Sequence, residues 1–500
     1  MSSNYRARFI YLSLLSLLAV SVNAEDKIIA LGWDEPTPSQ WRAHLAEVDK
    51  QAYFTGYVIK STRMVNNHEV QSSNTGVDEV WTWDQFQPMV ADFSVKPTVV
   101  KDNFLLVSMN PGVDFYDDAA WKNVVDHWRF LARLAKQGGL EGLAFDSEPY
   151  PPTFKQFSYM FQKGNTQHSY QDYQLKARQR GMEIMQAVSA EYPNITIFSY
   201  RLLSQFLPFT PAKAKAMNTD AYGLFPDFLG GMFDASNSQV QFVEGDEDSY
   251  VYNTRDKFQD SYTGLKTNIL GMLNSRNQAF WKKQVKVGHG IYMDSYFNAN
   301  GATYFVDKKG VTIGQRLAMN LVGALNASDG WVFVDGEQGS WWKTSSKSVS
   351  WLDKGGNIDY LKSLFVDGTV NTNNKIIGSN TTYLSKDWTP YIDHTNGANN
   401  QCFYQQRSIS GDELFAVQML VGGANSGSFY SAVQWGNGSQ LYPYADAIPS
   451  KGGQGQLVNY SRLVRAPEKA TSLRLLVCSK SGNMSDGLSI QNLYVAKLLP

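Results

Sequence analysis

The sequence predicts an α/β chain: a (β/α)8 barrel over residues 25–372, then an all-β sandwich over 380–500. Two observations predict the barrel. Eight apolar runs of strand length recur through the first 370 residues, separated by longer stretches with helical period. Those runs are apolar at successive positions, as parallel strands covered on both faces must be. A third observation predicts the sandwich. Around "NTNNKIIGSNTT" (371–382) the helical periods stop, giving way to short strand-like runs broken by Gly, Asn and Ser.

Residues 1–24 are expected to be a signal peptide, leaving a periplasmic or secreted chain from about Glu25. "MSSNYRARF" is basic, "IYLSLLSLLAV" is apolar, and "VNA" offers small residues for cleavage. No later run has the length of a bilayer span, so no membrane partner is expected. The eight strand runs are "KIIALGW" (27–33), "FTGYVIK" (54–60), "NFLLVSM" (103–109), "LEGLAFD" (140–146), "ITIFSYR" (195–201), "VQFVEG" (240–245), "VKVGHGIYM" (285–293) and "GWVFVDG" (330–336). Helical stretches at 121–137, 170–192 and 312–328 lie between them; in the first, Val124, Trp128, Leu131 and Leu134 form an apolar stripe. An open doubly wound sheet is the runner-up. It would want a glycine fingerprint after the first strand, and "GWDEPTPSQ" has none.

Composition narrows the function. The net charge is -1, which makes no electrostatic case for a nucleic-acid partner or an anionic lipid surface. Aromatic residues reach 13%, with 13 Trp and 27 Tyr; such rings build cores and also stack on the apolar faces of sugars. Only Cys402 and Cys478 occur, and in an oxidising compartment they are expected to pair. The long loop they close makes that bond worth roughly 4 kcal/mol in the chain-entropy account. Six His without Cys/His clustering carry no zinc signature, so no metal or cofactor is expected. "EGDEDSY" (244–250) is acidic enough to suggest calcium but lacks EF-hand spacing. A monomer or small homo-oligomer is expected.

The chemistry concentrates in "GLEGLAFDSEPYPP" (139–152), where an apolar run ends abruptly in two carboxylates. Residues i and i+2 of a strand face the same way, so Ala144, Asp146 and Glu148 share one face and Leu143 and Phe145 the other. The small Ala144 suits a crowded barrel axis. Asp146 and Glu148 then emerge at the carboxyl end of the fourth strand, where barrels build active sites. Two carboxylates so close raise one another's proton affinity, as a general acid at neutral pH requires.

"EGLAFDSEPY" resembles the fourth-strand motif of the family 18 chitinase-like glycoside hydrolases, D-G-x-D-x-D-x-E-Y. Glu141 stands in place of the motif's first Asp and Ala144 in place of its middle one. The blocks "LGWDEPTPSQWRAHLAEVDK", "RQRGMEIMQAVSAEYP" and "VEGDEDSYVY" are similar to those of uncharacterised secreted bacterial barrel glycosidases. The resemblance implies a glycoside hydrolase acting on a carbohydrate. It makes Glu148 the acid, and Asp146 the group that steadies developing charge or positions an acetamido group.

The other strand ends supply candidate substrate-binding residues. They are Trp33 and Asp34 after the first, Tyr200 and Arg201 after the fifth, Glu244 after the sixth, Tyr292 and Asp294 after the seventh, and Trp331 and Asp335 on the eighth. Glycoside hydrolysis usually needs a second carboxylate across the bond, and Glu247 is the first choice for a catalytic partner on another strand. A glycan-binding barrel without turnover is the competing expectation.

Overall fold

A computed structural model describes residues 26–51, 54–341 and 351, and beyond them 382–383, 389–393, 400–422, 429–448, 450–454, 457–479 and 489–498. The expected signal peptide lies outside the described residues, as does most of the 371–382 junction. The chain divides into two compact units, Glu25–Thr369 and Val370–Leu499.

All eight apolar runs become strands of the first unit. They are β1 (Lys27–Ala30), β2 (Gly56–Ile59), β3 (Phe104–Pro111), β4 (Gly142–Asp146), β5 (Thr196–Ser199), β6 (Gln241–Glu244), β7 (Val285–Tyr292) and β8 (Trp331–Asp335). Each pairs in parallel with the next. β8 returns to pair with β1, from Lys27↔Trp331 to Ala30↔Val334. That closure makes the sheet a barrel and sets the open-sheet alternative aside.

Strand alternation sorts the core into two layers. Ile29, Val58, Phe104, Ala144, Phe198, Val243 and Phe333 point inward and fill the barrel. Their neighbours Ile28, Ile59, Leu105, Leu143, Phe145, Ile197, Phe242 and Val334 point out into the layer under the helices. Among the described residues, seven helices of ten residues or more form the outer layer: α1 (Pro38–Gln51), α2 (Asp118–Gly138), α3 (Tyr170–Glu191), α4 (Phe225–Ala235), α5 (Arg255–Lys266), α6 (Ser275–Gln284) and α7 (Ile313–Asn326). In α2 the stripe Val124, Trp128, Leu131 and Leu134 is wholly buried. The side chain of Asp117 caps its first turn by accepting from the Ala120 N–H, and Gly139, at φ +67°, ends it in the left-handed region open to glycine. No helix among the described residues is long and apolar enough to cross a membrane.

The second unit is all-β. Its strands are β9 (Thr382–Tyr383), β10 (Thr389–Asp393), β11 (Asn400–Ser408), β12 (Leu414–Gly422), β13 (Phe429–Asn437), β14 (Gln440–Ile448), β15 (Ser450–Gln454), β16 (Leu457–Arg465), β17 (Ser472–Ser479) and β18 (Ser489–Leu498). They form two antiparallel sheets, in the orders β9-β18-β12-β16-β15 and β10-β11-β17-β13-β14. Phe415, Val417 and Met419 of one sheet and Val433, Trp435, Leu475 and Val477 of the other share one core. The expected disulfide forms between Cys402 and Cys478, which face each other on β11 and β17.

Candidate active site

The inner face of each strand delivers its last side chain to the carboxyl-terminal mouth of the barrel. On β4, Ala144 lies wholly inside and Asp146 caps the same face. The carboxylate of Asp146 then organises the turn beyond the strand: its Oδ1 accepts the Glu148 N–H at 2.8 Å. Asn110, at the end of β3, holds the turn from the other side. Its Nδ2 donates to the Glu148 carbonyl at 2.8 Å and its Oδ1 accepts the Tyr150 N–H at 3.2 Å. Glu148 is thus pinned at both ends of its backbone while its side chain keeps 29% of its surface exposed.

Arg201, just past β5, joins this carboxylate to one from the sixth strand end. Its Nη2 lies 3.3 Å from Glu148 Oε1 and 2.7 Å from Glu247 Oε2, and its Nε donates to the same Glu247 oxygen at 2.7 Å. The two contact lengths together cap the separation of the Glu148 and Glu247 oxygens at about 6 Å. Glu148 and Glu247 therefore share one guanidinium, whose charge also acts on Asp146. Burial, and then the nearby charge of Glu148, push Asp146 up to about 7. Burial also pushes Glu247 up to about 8, against the pull of Arg201 and with the push of Glu148 and Asp146. Asp146 and Glu247 act on one another, and each is held toward its protonated form near neutral pH.

The rest of the mouth is tyrosine and carboxylate. Tyr200, buried beneath the rim, stacks on Phe333 at 5.9 Å, and its hydroxyl has no hydrogen-bond partner. Tyr292 stacks on Tyr250 at 4.9 Å, and the Tyr250 hydroxyl donates to Asp335 Oδ2 at 2.7 Å. Asp335 caps the inner face of β8, and burial raises it to about 7. Asp294 is buried and takes the Glu337 N–H on Oδ2 at 2.8 Å. In the first loop Trp33 stands 65% exposed, with Asp34 half-buried beside it.

Two sequence candidates land elsewhere. Glu244 sits one residue after the inward Val243, so strand parity turns it toward the helices. It is 0% exposed and its Oε2 accepts the N–H groups of Leu202, Leu203 and Ser204 at 3.0, 2.6 and 3.1 Å. Its work is to hold the loop that carries Arg201. Trp331 begins β8 rather than ending it, so it lies at the opposite end of the barrel from the mouth. There it packs near Phe104 and Phe198, with the Lys27 ammonium 4.8 Å above its ring. Both side chains are buried.

Sequence reasoning also passed over residues that the fold brings in. Glu35, two positions past Trp33, retains some open surface yet is held where burial pushes it up to about 8. Tyr150 stands close enough to Asp146 to lower its hold on a proton. The motif contained Tyr150 but not its role, and nothing local in "DEPTP" marks Glu35.

No family model matches the chain, and no curated protein does. Several solved structures are similar to it. One is the enzymatically active domain of bacteriophage CBA120 tailspike protein 4, at 12% identity and a TM-score of 0.17, covering 20% of this chain. The chain spans only 14% of that structure's length. A GH18 chitinase from Pseudoalteromonas aurantia is 11% identical at a TM-score of 0.32, over 67% of this chain and 98% of that one. A mutant O-GlcNAc hydrolase of Thermobaculum terrenum is 7% identical at a TM-score of 0.33, over 63% and 55%.

Proposed function

We propose that the chain is a glycoside hydrolase acting outside the cytoplasm on an oligo- or polysaccharide. The observation that carries this reading is the pair Glu148 and Glu247, set past the fourth and sixth strand ends and bound within about 6 Å of each other to the one arginine past the fifth. Retaining glycosidases hold their two carboxyl groups about 5–5.5 Å apart, and inverting ones about 6.5–9.5 Å. The cap on the oxygen separation favours retention. Glu148, the more open of the two, donates a proton to the departing glycosidic oxygen and later takes one from water. Glu247, held by Arg201, acts in its ionised form, which rising pH favours, as nucleophile or charge stabiliser. Asp146 keeps the Glu148 backbone in place through its hydrogen bond to the Glu148 N–H. Trp33 offers an exposed ring for a sugar face. The sandwich unit serves as an accessory domain of carbohydrate-binding type.

The test is reducing-sugar release from a glycan panel. Glu148→Gln and Glu247→Gln are each expected to lose about 10²–10⁴-fold in kcat. Undiminished hydrolysis in Glu148→Gln would remove it as the acid. Tight glycan binding by the wild type without any release would make the protein a glycan-binding barrel instead.

A further inference from the structure

Resting on that reading, we propose that the substrate is a cationic amino sugar, whose free ammonium group docks on Asp335, Glu35 and the Tyr200 hydroxyl. Three observations carry the proposal.

The first is a set of unused hydrogen-bonding atoms. Asp335 stands on the inner face of β8 above Phe333 and is 8% exposed. Tyr250 occupies its Oδ2, while its Oδ1 is buried with no hydrogen-bond partner. The Tyr200 hydroxyl is buried and unpartnered in the same way. The two groups act on one another electrostatically, and Glu35 acts on both. A buried acceptor left unpaired costs free energy that a donor-bearing ligand regains. An ammonium brings three donors and no acceptor.

The second is charge. Glu337, Asp294 and Tyr250 face Asp335, and Glu247 is raised by Asp335 in turn. Two cations are at hand: Arg201 holds Glu148 and Glu247, and Lys60, which donates to the Trp33 carbonyl at 3.2 Å, lowers the proton affinity of Glu35 without offsetting its burial. The floor is therefore rich in carboxylates that repel one another. Burial, with the push of neighbouring carboxylates, holds Glu35 at about 8 and Asp335 at about 7. A uronate would be repelled there, and a plain or N-acetylated sugar would leave the repulsion uncompensated.

The third concerns inorganic cations. Among the described residues no group of three or more His, Cys, Asp or Glu is arranged to hold a metal ion.

An incoming ammonium favours ionised carboxylates, so binding releases protons and tightens as pH rises from 5 toward 8, until the amine itself loses its proton. The experiment is calorimetric binding to the full chain carrying Glu148→Gln, which reads affinity without turnover. The probes are oligomers of glucosamine and of galactosamine, each beside its N-acetylated and plain-hexose counterparts. In at least one series the free amine is expected to bind at least tenfold tighter at pH 7, with proton release that depends on buffer ionisation heat. Asp335→Asn is expected to reduce that preference about tenfold, and Glu35→Gln serves as a second variant if the first does not fold. Equal or tighter binding of the counterparts in both series, no binding at all, or a preference untouched by both variants would overturn the proposal. A wild type that prefers amino sugars but never cleaves them would sink the hydrolase reading and leave this one standing.

Discussion

Asp246 and His289 meet in the wall behind the mouth, and their contact shows how single residues there are committed. His289 Nε2 donates to the Ala327 carbonyl at 2.9 Å, and its Nδ1 faces Asp246 Oδ2 at 2.7 Å. Ser261 donates to the same oxygen at 2.8 Å. Since the carbonyl can only accept, the pair holds a proton between ring and carboxylate. His289→Phe strands Asp246 in a place with no solvent, and is expected to cost about 3–5 kcal/mol in denaturant unfolding. Asp335 behaves in the opposite sense. Its folded proton affinity is raised, so it favours folding below its unfolded value near 4 and loses that contribution as pH climbs through about 7. Asp335→Asn should therefore melt higher than wild type at pH 8, by at most roughly 4 kcal/mol, with the gap closing toward pH 4. A constant gap across that range would contradict the assignment. At this scale the inward face of Asp146 was legible from i, i+2 parity, whereas Glu148 lies past the strand end, where the turn rather than parity sets its direction. The same parity, applied to "VQFVEG", would have turned Glu244 away from the cleft, but the acidic run after it reads as one loop.

Elements place these residues by their ends. β8 begins with Trp331 and ends with Asp335, so two candidates four positions apart serve opposite ends of the barrel. Locating Trp331 needed the strand's first residue, and boundaries are the weakest part of a periodicity argument. The β5 loop gives the clearest element-level prediction. Glu244 gathers three successive N–H groups immediately after Arg201. Glu244→Ala leaves those donors buried and unpaired, at about 1–3 kcal/mol for each that finds no water. The variant touches no substrate, yet it should lower kcat through Arg201 with little change in KM. An unchanged kcat alongside lost stability would confine Glu244 to a structural role. The helices needed no such correction: the α2 stripe is buried as its spacing requires, because a 3.6-residue period is a property of the segment itself.

At the scale of the molecule, two cores fold from one chain, and the disulfide belongs to only one of them. It ties β11 to β17 across 76 residues of sequence. Replacing Cys402 and Cys478 by Ser should remove about 4 kcal/mol from the sandwich. In calorimetry one transition should move down and the barrel transition should stay, whereas equal shifts in both would show that the units unfold as one. By itself the sequence determined the eight strands, the helical stripes, the all-β second unit, the cysteine pair and the inward Asp146 at the end of β4, because each is written in spacings of a few residues. Only the tertiary structure decided which charges share a space. Arg201 meets Glu247 across 46 residues and Tyr250 meets Asp335 across 85. Such contacts arise from barrel closure, which no local period encodes, and the same closure buries the carboxylates and raises their hold on protons.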